Sequence, residues 1–247
     1  MHYAYLSDSV KIKKVSDDGR NGLFDIEGLF PGYGLTLGNS LRRVLLSSLP
    51  GAAVTQFKVK GALHEFSTVP GVLEDVVDIG MNLKKLRFKF TADEPQILTI
   101  KIKGEKEVTG ADVEANVQAE VVNPEVKLFT ITDKKADIEI ELTVEKGLGY
   151  VPVERRKAGK LEIGVIALDA IFTPVMNVAI NVENMRVGDR TDYNRLELTV
   201  ETDGSITPSE AVHKASHILV DHFTKIGNID EVEPGNKEEL ENEEQSQ

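Results

Sequence analysis

The sequence predicts an α+β chain built mainly on antiparallel sheet, with two long helices far apart along it. Three observations carry this. Apolar residues recur at helical spacing over 36–48 and again over 208–226. Around and between these stretches, apolar and polar residues alternate with a period of two. The alternating runs are arranged as hairpins, without repeated strand–helix–strand units.

Taken in order, 22–30 reads as a strand, because Phe24 and Ile26 alternate with Asp25 and Glu27. Pro31-Gly32-Tyr33-Gly34 breaks it. The first helix is expected from about Thr36 to Ser48. Leu37, Leu41, Val44, Leu45 and Ser48 fall at i, i+4, i+7, i+8 and i+11 and make one apolar stripe. Leu46 flanks the stripe, Arg42 and Arg43 lie off it, and Pro50-Gly51 stops the helix.

A strand over 54–59 and a short helix over 73–81 come next. Leu98, Ile100 and Ile102 alternate with Thr99 and Lys101. The clearest alternation sets Ile138, Ile140, Leu142 and Val144 against Asp137, Glu139, Glu141, Thr143 and Glu145, which means a sheet with one wet face. A basic loop over 151–160 holds Arg155, Arg156, Lys157 and Lys160.

From Pro174, Val178, Ile180 and Val182 alternate with polar neighbours, as do Leu196, Leu198 and Val200. Asp203-Gly204 signals a tight turn. Thr207-Pro208-Ser209-Glu210 fits a capping box with proline at the first helical position. Ala211, Val212, Ala215, Ile218, Leu219, His222, Phe223 and Ile226 then form one stripe, roughly 27 Å long at 1.5 Å per residue. Gly227 stands where a C-terminal glycine is expected. A stripe of this length has to be buried on the chain's own sheet, on a partner subunit, or on both.

Composition narrows the function. The 247 residues are 40% hydrophobic, too many for a chain disordered throughout. The absence of cysteine excludes a disulfide scaffold, a Cys-ligated zinc, an iron–sulfur cluster and a thiol nucleophile. No apolar run reaches about 18 residues, so no membrane span is expected, and Met1-His2-Tyr3-Ala4 opens no signal-peptide pattern. Residues 228–247 hold eight acids and one base, which is −7 of the net charge of −12. This tail is expected to be disordered. The remaining −5 is not the electrostatic footprint of an autonomous duplex-DNA binder.

Little in the chain suggests catalysis. Gly32, Gly34 and Gly38 open a helix after a strand, where glycines admit phosphate to a helix N-terminus. Their spacing misses G-x-G-x-x-G, and the preceding strand is not apolar on both faces. His213 and His217 stand four apart on the last helix, a metal-compatible spacing without an obvious third ligand; a polar helix face accounts for them. His64-Glu65 is a dyad by sequence only. Glu74 and Asp75 are adjacent on a predicted helix and therefore diverge. There is no nucleophile elbow, P-loop or Asp-x-Asp-x-Asp cluster for catalytic Mg²⁺. Arg42-Arg43 reads either as a solvated helix edge or as a polar contact to a partner.

The run from Gly32 to Ser48, Gly-Tyr-Gly-Leu-Thr-Leu-Gly-Asn-Ser-Leu-Arg-Arg-Val-Leu-Leu-Ser-Ser, resembles the signature first helix of the α-subunit family of bacterial or plastid DNA-directed RNA polymerases. Three further stretches match in order: His64 to Lys84, Gly147 to Pro152, and Val182 to Ala211 with its Arg190-Thr191-Asp192-Tyr193. The resemblance covers about 1–227. It implies a dimerisation domain made from 1–50 and 174–228, an inserted mostly-β domain at 51–173, and a tail at 229–247. Pro50 and Pro174 agree with those joints.

The resemblance also implies a homodimeric scaffold that gathers the β and β′ catalytic subunits. On it, Leu37, Leu41, Val44, Leu45, Val212, Ala215, Ile218, Leu219, Phe223 and Ile226 would form the dimer interface. Arg43, Leu46 and Asp78 would meet the β subunit, and Lys84, Leu168, Val175 and Arg195 the faces used for β or β′. No cofactor is implied for this chain, since Mg²⁺ and nucleotides would bind in the partner subunits. The family's C-terminal DNA-binding domain has no counterpart here, so no promoter contact is implied. The implied location is the cytoplasm, or the stroma for a plastid chain. Two other readings compete: a small-molecule enzyme using the glycine turn, and a β-rich adaptor unconnected with transcription. The first predicts stabilisation by NAD or ATP; the second leaves the motif set unexplained.

Overall fold

The computed structural model describes residues 8–114, 116–156 and 162–228. The predicted acidic tail and Lys157 and Lys160 of the basic loop lie outside the described residues. Among the described residues the architecture is α+β, with antiparallel sheets, three α-helices and two large apolar cores.

The first core lies under a four-stranded sheet drawn from both ends of the chain. Its strands are β1 (Lys11–Asp17), β2 (Asn21–Leu29), β14 (Val175–Val187) and β15 (Arg190–Thr202), in the order β1-β2-β15-β14. Phe24, Ile26, Leu196, Leu198 and Val200 turn to one face. Helix α1 (Tyr33–Ser47) lies across β14 and β15, and α3 (Pro208–Gly227) packs beside α1. Edge strand β1 is exposed over nearly its whole length and carries three lysines, a composition that discourages further strand pairing.

The second core belongs to the stretch between them. Its sheet runs β12 (Val165–Ala167), β3 (Pro50–Val59), β10 (Asp137–Leu148), β5 (Gln96–Lys103) and β7 (Val113–Glu114). The alternation along β10 is realised: Ile138, Ile140, Leu142 and Val144 are buried. On the wet face, Lys60 and Lys101 pair with Glu139 at 2.9 and 3.2 Å. Over the dry face lie α2 (Val76–Leu83) and two short ribbons. One ribbon pairs β4 (Phe88–Phe90) with β8 (Ala119–Val121); the other pairs β6 (Lys106–Thr109) with β9 (Lys127–Ile131). A last small ladder joins β11 (Tyr150–Val151) to β13 (Ala170–Ile171).

Several boundaries differ from expectation. Helix α1 starts at Tyr33, three residues early, because Gly32 adopts φ +88° and turns the chain directly into the helix. Pro50-Gly51 already begins β3, since proline is tolerated at the first residue of a strand. Helix α2 starts at Val76 rather than 73, because the Asp75 carboxylate accepts from the Asp78 N–H at 2.7 Å and caps it. The capping box on α3 forms as expected. Gly227 does not supply a left-handed cap; the helix runs through it, and the Asn228 N–H closes on the Thr224 carbonyl. Asp203-Gly204 is a turn, leading from β15 into α3 rather than closing a hairpin.

Candidate functional site

The glycines at the head of α1 serve packing. A Cβ on Gly34 would stand 2.7 Å from Val182 Cγ1, and one on Gly38 would stand 3.0 Å from Leu196 Cδ1. Their absence lets α1 lie close on the sheet. The Gly32 and Gly34 N–H groups, which a phosphate would need, both donate to Asn194 Oδ1, at 2.9 and 3.3 Å. The Arg190 guanidinium lies 5.5 Å from the Phe30 ring centre and 5.4 Å from that of Tyr193, and pairs with Asp192 at 2.6 Å. Two motifs about 160 residues apart in sequence therefore meet at one corner.

The predicted dimer stripe divides in three. Leu41, Leu45 and Ala215 are buried in the chain's own core, so they are unavailable to a partner. Val44, Val212, Ile218 and Leu219 are half-buried at its margin. Leu37, Phe223 and Ile226 stand exposed. From Val220 onward every described residue of α3 is exposed, because the helix outruns the sheet. Its last eight residues, about 12 Å of helix, carry Val220, Phe223 and Ile226 into solvent at 58–63% exposure.

The predicted contact residues fall on three surfaces. Arg43 is exposed on α1 with no ion pair among the described residues, and Leu46 beside it is half-buried. Arg195 follows β15 to the opposite face of the sheet, where it pairs with the buried Asp25. Asp25, a polar position of the alternating β2, is buried nonetheless; its neighbours cover it, and the arginine supplies its counter-charge. Val175 departs from expectation. It is 3% exposed, because the first residue of β14 enters the core, and it cannot touch a partner in this conformation.

Lys84 and Leu168 come together beside α2, while Asp78 stands exposed on that helix, outside the groove they line. A groove of about 250 Å³ lies between α2 and β12, lined by Phe66, Val77, Met81, Lys84 and Leu168 among others. Phe66 is 78% exposed and Met81 52%. Lys84 sits at its margin, paired with Asp169 at 3.1 Å. The Val153 N–H, and after it Lys84, hold the Asp169 carboxyl below its ordinary value. Arg156 donates to the Thr55 and Leu168 carbonyls and ties this rim to β3. Phe66, Val77 and Met81 were not among the predicted contacts. The signal was present: Val77 and Met81 stand i, i+4 on α2, off the Val76, Ile79 and Leu83 stripe that faces the core.

The carboxylates considered for chemistry have structural duties. Glu74 accepts from the Thr130 N–H and hydroxyl at 2.6 and 3.1 Å, while Asp75 caps α2. His64 Nδ1 lies 3.2 Å from Ser67 Oγ. Among the described residues, no three His, Cys, Asp or Glu side chains gather to hold a metal, and no helix is long and apolar enough to cross a membrane.

Comparison with known proteins agrees with this picture. Residues 56–173 match the family model described as the RNA polymerase Rpb3/RpoA insert domain. The class is thus that of the polymerase subunits carrying this insert. The chain is 51% identical over 221 residues to the DNA-directed RNA polymerase subunit alpha of Carboxydothermus hydrogenoformans, covering 90% of this chain and 70% of that one. It is 48% identical to the subunit alpha of Symbiobacterium thermophilum, over 85% of this chain and 66% of the relative. For Moorella thermoacetica the values are 50%, 83% and 66%. The chain belongs to the α-subunit family of DNA-directed RNA polymerase, and spans about two thirds of the length of these relatives.

Proposed function

We propose that the chain is a non-catalytic assembly subunit. Two copies pair through their α1 and α3 helices, and the pair gathers the β and β′ subunits of RNA polymerase. The observation that carries this reading is the end of α3, which presents Val220, Phe223 and Ile226 to solvent with nothing among the described residues to cover them. A second copy covers such a stripe by two-fold packing.

On this reading the sheet of β1, β2, β14 and β15 with α1 and α3 is the dimerisation domain, drawn from 1–50 and 174–228. The stretch 51–173 is an inserted domain. Arg43 with Leu46, Arg195, Asp78 on α2, and the α2 groove with Lys84 and Leu168 are contact points for the large subunits. The chain carries no catalytic cofactor of its own; Mg²⁺ and nucleotide chemistry belong to its partners, and it works beside them in the cytoplasm, or in the stroma if the chain is plastid-encoded.

The test is co-expression of the tagged chain with β and β′. Two copies of the chain recovered with one of each large subunit, together with templated RNA synthesis in the eluate, is the expected result. Arg43→Ala should lower recovery of a large subunit while leaving the pair of α chains intact. Recovery of the chain without either large subunit would overturn the reading.

A further inference from the structure

We propose that His213 and His217 form a two-point clamp for a divalent transition-metal ion on the exposed face of α3. The two Nε2 atoms lie 3.1 Å apart, with ring centres at 4.4 Å. Two metal–nitrogen bonds of about 2.05 Å spanning that gap meet at about 98°, between the octahedral ~90° and the tetrahedral ~109°. Both rings are therefore already placed to share one ion without a change of backbone.

The helix beneath them is fixed. Thr207 and Glu210 close its first turn as a capping box, and Pro208 occupies its first position. Ala211 and Ala215, each two residues before one of the histidines, are fully buried on the opposite side. Two residues correspond to about 200° of helical rotation, so the surface that anchors α3 aims the imidazoles outward. Both histidines are exposed. In the unoccupied clamp, one Nε2–H can donate to the other Nε2. Coordination replaces that bond and places each ring's proton on Nδ1.

The ligand class follows from the donors. Two imidazole nitrogens suit Zn²⁺, Ni²⁺ or Cu²⁺ and disfavour Mg²⁺ and Ca²⁺, which take oxygen ligands. No third His, Cys, Asp or Glu among the described residues completes a site, so water or an external donor fills the remaining positions. The clamp is independent of the polymerase reading, since it shares no residue with Phe223, Ile226 or the α2 groove.

The test uses the full chain titrated with Zn²⁺ and, separately, Mg²⁺. Binding is followed by the imidazole ¹H–¹⁵N resonances and by the thermal midpoint. Zn²⁺ should move the His213 and His217 signals together and raise the midpoint, because the clamp exists only in the folded helix. Mg²⁺ should do neither. His213→Ala and His217→Ala should each abolish the midpoint shift. His222→Ala should retain it, since His222 is engaged one turn back, with Nδ1 2.7 Å from the Ile218 carbonyl oxygen. The exposed positions of His213 and His217 leave the fold of both variants intact. Unmoved resonances, or a Zn²⁺ shift that survives His213→Ala and His217→Ala, would overturn the assignment and leave a plain imidazole–imidazole hydrogen bond.

Discussion

Phe223→Ala separates the proposed dimer face from the folding core. Phe223 is 62% exposed in the single chain. On roughly 200 Å² for a phenylalanine side chain, covering that fraction removes about 125 Å² from water, worth ~3 kcal/mol at ~25 cal/mol/Å². A two-fold interface meets the substitution twice, so ~6 kcal/mol, on the order of 10⁴ in the dimer dissociation constant, is the ceiling. Sedimentation equilibrium over a range of concentrations reads this directly. Urea unfolding of the dissociated variant should match that of dissociated wild-type chain, because Phe223 contributes little within one copy. Leu45→Ala is the counterpart. Leu45 is fully buried, and its truncation should cost the subunit itself about 2–5 kcal/mol. A Phe223→Ala chain that pairs as tightly as wild type would refute the argument, because the overhang would then not be what a second copy covers.

Three further outcomes follow from the geometry. Gly34→Ala should destabilise the chain by about 1–3 kcal/mol in urea titration, since its Cβ would meet Val182 Cγ1 at 2.7 Å in a packed layer. Thr207→Ala should cost about 0.5–2 kcal/mol, read from the same titration, because it removes the cap on the Glu210 N–H. Asp169→Asn should lower stability at neutral pH by no more than about 1 kcal/mol, its side chain being 35% exposed. The Asp169 carboxyl is held below its ordinary 3.8, so its contribution is present above that pH and fades as pH falls through the lowered value. Urea midpoints of wild type and variant should therefore converge in acid; a gap that stays constant there would show that the charge is not responsible.

The long periodic segments were legible because their pattern repeats often enough to be read. Strand β10 alternates over nearly its whole length, and α3 carries its stripe, its proline and its capping box in plain order. The elements of two to five residues, such as β7, β8 and β11, are shorter than the period that would reveal them. The division of the dimer stripe was illegible for a different reason. Leu45 and Phe223 are both apolar residues on amphipathic helices, and their difference lies in how far the sheet extends beneath each helix. That length is set by strands distant in sequence. The head of α1 shows the reverse case: its glycines have the composition of a phosphate cradle, and Asn194, far along the chain, occupies the N–H groups.

The placement of the two arginines limits how partners can be shared. Arg195 and Leu196 are neighbours on β15, so their side chains leave opposite faces of the sheet. Helix α1 covers the Leu196 face, as the approach of Gly38 to Leu196 requires, and Arg43 lies on that helix. Arg43 and Arg195 are therefore separated by the thickness of the sheet, and no single flat surface can rest on both within one copy. A two-fold pair would offer each face twice, and nothing in the pair itself distinguishes its copies. If the proposed pair is to hold two different large subunits, the asymmetry has to come from the partners.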